Sequence, residues 1–156
     1  MNIATNLLFF FLRLWYNKYR KGAAVLSEFG KAAYWLDGAE YDLQTAKAML
    51  ETRRFLYVGF MCHQAVEKAL KAVFVTRMLG EELPYIHKLM RLANLSGLSA
   101  EMTEEQLALL DILSPLNVEA RYPLHRERLL ASLTPKRCQQ LIDETEALLT
   151  WIKTKC

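Results

Sequence analysis

Apolar side chains return every three or four positions through most of this chain, and polar ones fill the gaps. From Ser27 onward, Leu36, Ala39, Leu43, Ala46 and Leu50 fall on one stripe with Asp42, Lys47 and Glu51 off it, the pattern of a long amphipathic helix. After the stretch ETRR, a broader stripe of Phe55, Val58, Cys62, Ala65, Val66, Ala69, Leu70 and Val73 predicts a second helix. It should end near Gly80, a residue suited to a C-terminal cap. Small residues at 65, 69 and 72 would let a neighbouring helix approach closely. EELPY reads as a loop, and Leu89, Leu92 and Leu95 predict a short third helix that stops before Gly97. A fourth begins at TEEQ, where Thr103 can cap the helix while Gln106 reaches back in a capping box. Its stripe is Leu107, Leu110 and Leu113, and Pro115 should kink or end it, because proline lacks an amide donor and crowds the preceding turn. The last helix has Thr134 as N-cap and Pro135 at its first position, with Leu141, Leu148, Trp151 and Ile152 on the buried side. No strand-like alternation competes. The expected fold is all-α, an up-and-down bundle of about five helices.

Length and cysteine content are consistent with that reading. A chain of 156 residues fits one domain that can bury a sizeable core without covalent staples. Cys62, Cys138 and Cys156 are odd in number, widely spaced and outside any CxxC pattern, which fits ordinary thiols in a reducing, cytoplasmic setting.

Charge changes the picture more. Of 20 basic residues, Arg13, Lys18, Arg20 and Lys21 precede the first acidic one, Glu28, which leaves 16 basic against 17 acidic residues in the remainder. The body is electrically balanced, so binding to nucleic acid would need a local cluster or a dimer groove rather than a whole-domain field. The leading segment is different in kind, with LLFFFLRLWY followed by NKYRKG. Arg13 interrupts the apolar run before it could span a bilayer, and the charge follows the apolar stretch instead of preceding it as in a secretory signal. An interfacial anchor, a docked extra helix and an extension outside the domain remain open, and the last two leave the membrane out. Residues 1–26 are therefore read as an N-terminal extension and 27–156 as the helical domain.

Candidate chemistry is sparse. Phosphate loops, dinucleotide fingerprints and HExxH motifs are absent, and no two of the three histidines share a helical turn, so neither a cofactor nor a metal is expected. On the second helix His63, Glu67 and Lys71 lie at i, i+4 and i+8. They read either as a solvated face with an ordinary Glu–Lys pair, which spacing favours, or as a polar wall of a shared groove. His87 reads as a helix-start or loop histidine rather than a base. Arg121 and His125 sit four positions apart, but Pro123 between them removes a backbone donor and pushes Tyr122 toward extended backbone, so spacing does not decide their proximity. Arg126 and Arg128 add local positive charge against Glu119 and Glu127.

AEYDLQTAKAMLETRRFLYVGFMCHQAVEKALKAVFV, then LPYIHKLMRLA, then LNVEARYP resemble, in order and spacing, the HEPN domains (higher eukaryotes and prokaryotes nucleotide-binding). The resemblance runs from about Ala32 to Trp151, and HQAVEKALKA and ARYP are its most specific parts. It implies a helical bundle that forms a homodimer through helix faces, here expected to include the small and apolar residues of the second helix with the Arg121 region nearby. It also implies a minimal nucleotidyltransferase partner, as in toxin–antitoxin-like pairs, and RNA or nucleotide as ligand. Many HEPN domains are metal-independent ribonucleases carrying an arginine followed a few residues later by a histidine at the dimer interface. By that resemblance Arg121 would hold the pentacovalent phosphate and His125 would move a proton, with His63, Glu67, Lys71, Tyr122 and Arg126 lining the RNA side of the groove. His125 follows Arg121 after three intervening residues, one fewer than the family's usual minimum. The alternative implied is a non-catalytic nucleotide-binding or partner-binding module.

Overall fold

A computed structural model describes residues 30–119 and 130–156. Helix α1 covers 30–51, α2 Phe55–Arg77, α3 Leu89–Leu95, α4 Glu104–Leu113, α5 Leu116–Glu119 and α6 Pro135–Lys153. A 3₁₀ turn, Leu98–Glu101, joins α3 to α4. No strand occurs among the described residues. The five predicted helices are all present, and α5 is the piece that follows the break at Pro115.

Side-chain pairs fix the directions of the long helices. Glu40 and Lys47 of α1 meet Lys153 and Glu146 of α6 in reverse order, at 2.7 and 2.8 Å, so these two run antiparallel. Asp42 pairs with Lys68 across α1 and α2, and Ala32 packs with Ala72 and Val75, again in reverse order. Arg77 meets Glu101 just before α4, while His63 meets Leu113 at its end, so α4 is antiparallel to α2. Cys138 reaches the Phe55 carbonyl near the starts of both α6 and α2, which makes that pair parallel. Helices α1, α2, α4 and α6 thus alternate up and down, and α3 lies between α2 and α4 as a short connector.

Local chemistry explains most of the boundaries. Thr103 Oγ1 accepts from the Gln106 amide at 3.3 Å while the Gln106 side chain accepts from the Thr103 amide at 3.0 Å, completing the anticipated capping box. Thr134 caps α6 in the same manner through the Arg137 amide. Helix α1 ends in a Schellman arrangement: Arg54 donates to Met49 and Arg53 to Leu50, with Arg53 at φ 58, a left-handed conformation that usually belongs to glycine. Helix α2 stops at Arg77 rather than near Gly80, which takes φ 84 in the turn beyond.

The core is built from α2 outward. Leu43, Leu70, Leu89, Leu92, Leu110, Leu113, Leu141, Leu148 and Ile152 are fully buried. Gly59 marks the closest approach, since a Cβ there would come within 2.8 Å of the Leu116 side chain, and α5 rests on α2 because that methyl is missing. Ala65, Ala69 and Ala72 have no exposed surface. They serve the protomer's own core, which corrects the expectation that the small residues of α2 face a second copy. Leu95 is exposed, against expectation, and Ala93 is buried beside Leu92 in α3, while the stripe of α4 holds, with Leu107 packed against the core and Leu109 joining Leu110 and Leu113 inside.

Burial pushes the Cys62 thiol up to about 12 and the Cys138 thiol to about 11, so both stay protonated and unreactive near neutrality. Among the described residues no helix is long and apolar enough to cross a membrane.

Candidate functional site

The polar stripe of α2 points inward. His63 is wholly buried and Glu67 nearly so, which overturns the solvated-face reading of these residues. Pro115 has no amide to offer, and the break beside it leaves carbonyls of α4's last turn without intrahelical donors. One of them, the Leu113 carbonyl oxygen, lies 3.0 Å from His63 Nδ1. A carbonyl can only accept, so Nδ1 carries a proton and donates it. On the other side of the ring, Nε2 lies 3.3 Å from Glu67 Oε2.

Glu67 gathers hydrogen-bond donors from two elements. Lys71 Nζ donates to Oε1 at 2.7 Å, and His87 Nδ1, from the connection before α3, lies 3.1 and 3.2 Å from the two oxygens. Burial alone would raise the carboxyl's pKa. Hydrogen bonds from His63, Lys71 and His87, together with the Lys71 charge, outweigh it and hold the group down at about 2. Lys71 also sits 5.0 Å over the Trp35 ring of α1, an attraction that steadies it against the carboxylate. Beside this cluster, Gln64 donates to Asn117 of α5 at 3.2 Å. Three helices and one loop are therefore tied through the polar side of α2.

Above the cluster an open groove of about 670 Å³ is lined by Tyr85, His87, Lys88 and Arg91 on one side. Asp111, Ser114, Pro115 and Asn117, at the α4–α5 break, form the other side. The side chain of His87 is 60 % exposed, so it links the buried carboxylate to the groove. Periodicity identified the His63, Glu67 and Lys71 spacing but not their burial. It also missed the part played by His87, because a loop brings that residue to Glu67 from 20 positions away. Tyr85, Lys88 and Arg91 fall within LPYIHKLMRLA, one of the segments that carry the family resemblance, but their spacing alone singles none of them out. Arg121, Tyr122, His125 and Arg126 lie outside the described residues, which resume only at residue 130. Among the described residues no group of three or more His, Cys, Asp or Glu side chains is arranged to hold a metal ion.

The HEPN domain family matches residues 32–155, nearly the whole bundle from the first buried residue of α1 to the end of α6. This chain belongs to the HEPN family. Among solved structures, TT1696 from Thermus thermophilus superposes with a TM-score of 0.69 at 20 % identity, over 81 % of this chain and 98 % of that one. At that identity the likeness extends to the fold, and it covers nearly all of the Thermus chain. A comparison with curated proteins finds no match.

Proposed function

We propose that this HEPN domain acts as a homodimer on RNA, alongside a minimal nucleotidyltransferase partner, and that Arg121 and His125 are its catalytic pair. The observation that carries the reading is the position of the groove. Its wall at Asn117 stands four residues before Arg121, so the chain leaves a surface bearing His87, Lys88 and Arg91 and enters the stretch containing Arg121, Tyr122, His125 and Arg126. The buried cluster removes one rival to His125. Both nitrogens of His63 are engaged and its ring has no exposed surface, so a base must come from elsewhere. In this reading His63, Glu67 and Lys71 position His87 and the α4–α5 break rather than touch the substrate.

The chemistry asked of the pair is transfer within the RNA chain. His125 takes the proton from a ribose 2′-hydroxyl, the 2′-oxygen bonds to the adjacent phosphorus, and the bond to the 5′-oxygen breaks as that oxygen takes up a proton from water, leaving a 2′,3′-cyclic phosphate and a 5′-hydroxyl. Arg121 stabilises the charge on the pentacovalent phosphate, a role suited to a guanidinium that stays charged throughout. Purified protein should then cleave RNA in EDTA. Arg121→Ala and His125→Ala should each lower the rate by roughly 100- to 1,000-fold while keeping the fold. A second reading follows from Pro123 and the short Arg–His spacing, under which the domain binds nucleotide or a partner without catalysis. Intact RNA after incubation with dimeric protein, over several sequences, selects that second reading.

A further inference from the structure

We propose that the groove between the 81–88 connection and the α4–α5 break is a subsite for single-stranded RNA, with Tyr85 as a stacking platform and Lys88 and Arg91 as phosphate contacts. The proposal rests on the RNA reading above and gives Tyr85, Lys88 and Arg91 specific roles in a groove to which that reading assigns only a position. Three observations carry it. Tyr85 is fully exposed, although a large apolar ring gains nothing from water on both faces. Lys88 and Arg91 line the same groove, and neither makes an ion pair with any described residue, so both charges are available to a ligand there. The volume of about 670 Å³ lies within the range of small-ligand sites, roughly 300–1,000 Å³.

Together these make an aromatic face next to two uncommitted cations. That is the combination which holds single strands: a base stacks on the ring while its flanking phosphates meet the positive charges. A duplex has its base faces already stacked and offers Tyr85 nothing, which sets the substrate class. Asp111, the one acidic residue among the described residues lining the groove, stands across from the cations. It keeps the surface from being uniformly positive and can accept from the exocyclic amine of a base. His87 adds a polar ring anchored through Nδ1 on Glu67, which makes Nε2 of the neutral ring an acceptor.

The test is fluorescence anisotropy with a labelled 2′-O-methyl RNA of about ten nucleotides, within the site size of single-strand binders, which binds as a single strand but lacks the hydroxyl needed for cleavage. Tyr85→Ala should weaken binding by roughly tenfold or more, the range of one lost base stack, and Tyr85→Phe should restore it. The double variant Lys88→Ala/Arg91→Ala should weaken binding and reduce the slope of log affinity against log salt by about 1.4, at roughly 0.7 per phosphate contact on a single strand. All three side chains are exposed, and thermal melts should match the parent. If the parent binds but these variants bind equally well, the groove assignment is wrong and the RNA reading stands. If binding depends on Tyr85 while RNA carrying free 2′-hydroxyls is never cleaved, the groove stands and catalysis by Arg121 and His125 is excluded. No binding by the parent overturns both. Equal affinity for a duplex, independent of Tyr85, also overturns the stacking proposal.

Discussion

A single carboxylate organises the polar interior. Glu67 meets His63, Lys71 and His87 at once, and its pKa falls from 4.5 to about 2. A depressed folded-state pKa means that the unfolded chain binds the proton more readily, so Glu67 contributes stability above pH 4.5, and that contribution is lost as pH falls toward 2. The shift corresponds to roughly 3 kcal/mol. Glu67→Gln keeps the shape but leaves Lys71 without its counter-charge, with its side chain only 11 % exposed. We expect a loss of about 3 kcal/mol at pH 7, as for other buried pairs broken on one side, and a flatter stability profile between pH 4.5 and 2. Urea unfolding of parent and variant across that range measures both, and parallel profiles would contradict the role given to Glu67.

At the scale of elements, the turn between α1 and α2 is held by backbone hydrogen bonds rather than by a favourable residue. Arg53 occupies the left-handed position at φ 58, its side chain is exposed, and no described residue engages that side chain in a hydrogen bond or an ion pair. A side chain there costs about 1 kcal/mol relative to glycine. Arg53→Gly should therefore raise stability by up to about 1 kcal/mol, partly offset by the greater freedom of glycine in the unfolded chain. A thermal midpoint that falls would show that Arg53 makes a contact more valuable than the strain it bears. The α4–α5 break is the other informative junction. Pro115 ends one helix, Gly59 admits Leu116 to the surface of α2, and His63 takes up a carbonyl left at the break. The break at Pro115 thus supplies both the acceptor for a buried histidine and a groove wall.

For the whole molecule, α1, α2, α4 and α6 pack a core among the described residues, and the HEPN match begins at residue 32. We propose that residues 1–26 form an extension whose removal leaves a cooperatively folding domain. A truncated chain that lost its thermal transition would make Phe9, Phe10 and Trp15 part of the core instead. Dimerisation is the second expectation at this scale. Light scattering at tens of micromolar, an order-of-magnitude setting for weak association, should report twice the protomer mass. The alanines of α2 are already covered, so the interface must draw on other surface, and a monomer would remove the two-copy site on which the ribonuclease reading depends.

Helix periods, the Thr103–Gln106 box, the Thr134–Pro135 start and the family segments were all readable from order alone, because each depends on residues within a few positions of one another. The bundle followed from them, since amphipathic helices with short connections have few other ways to cover their apolar faces. The candidate site was legible only in part. His63, Glu67 and Lys71 stand out as a stripe, but spacing is the same for a wet face and a buried one, and only the arrival of α4's end and of His87 decides between them. The groove depended still more on tertiary structure. Tyr85, Lys88 and Arg91 come from one segment and Asp111 and Asn117 from another, and their adjacency arises where α4 turns back along α2 and stops at Pro115. Periodicity records which side of a helix is apolar, whereas burial and charge partners depend on what the rest of the chain brings to that side.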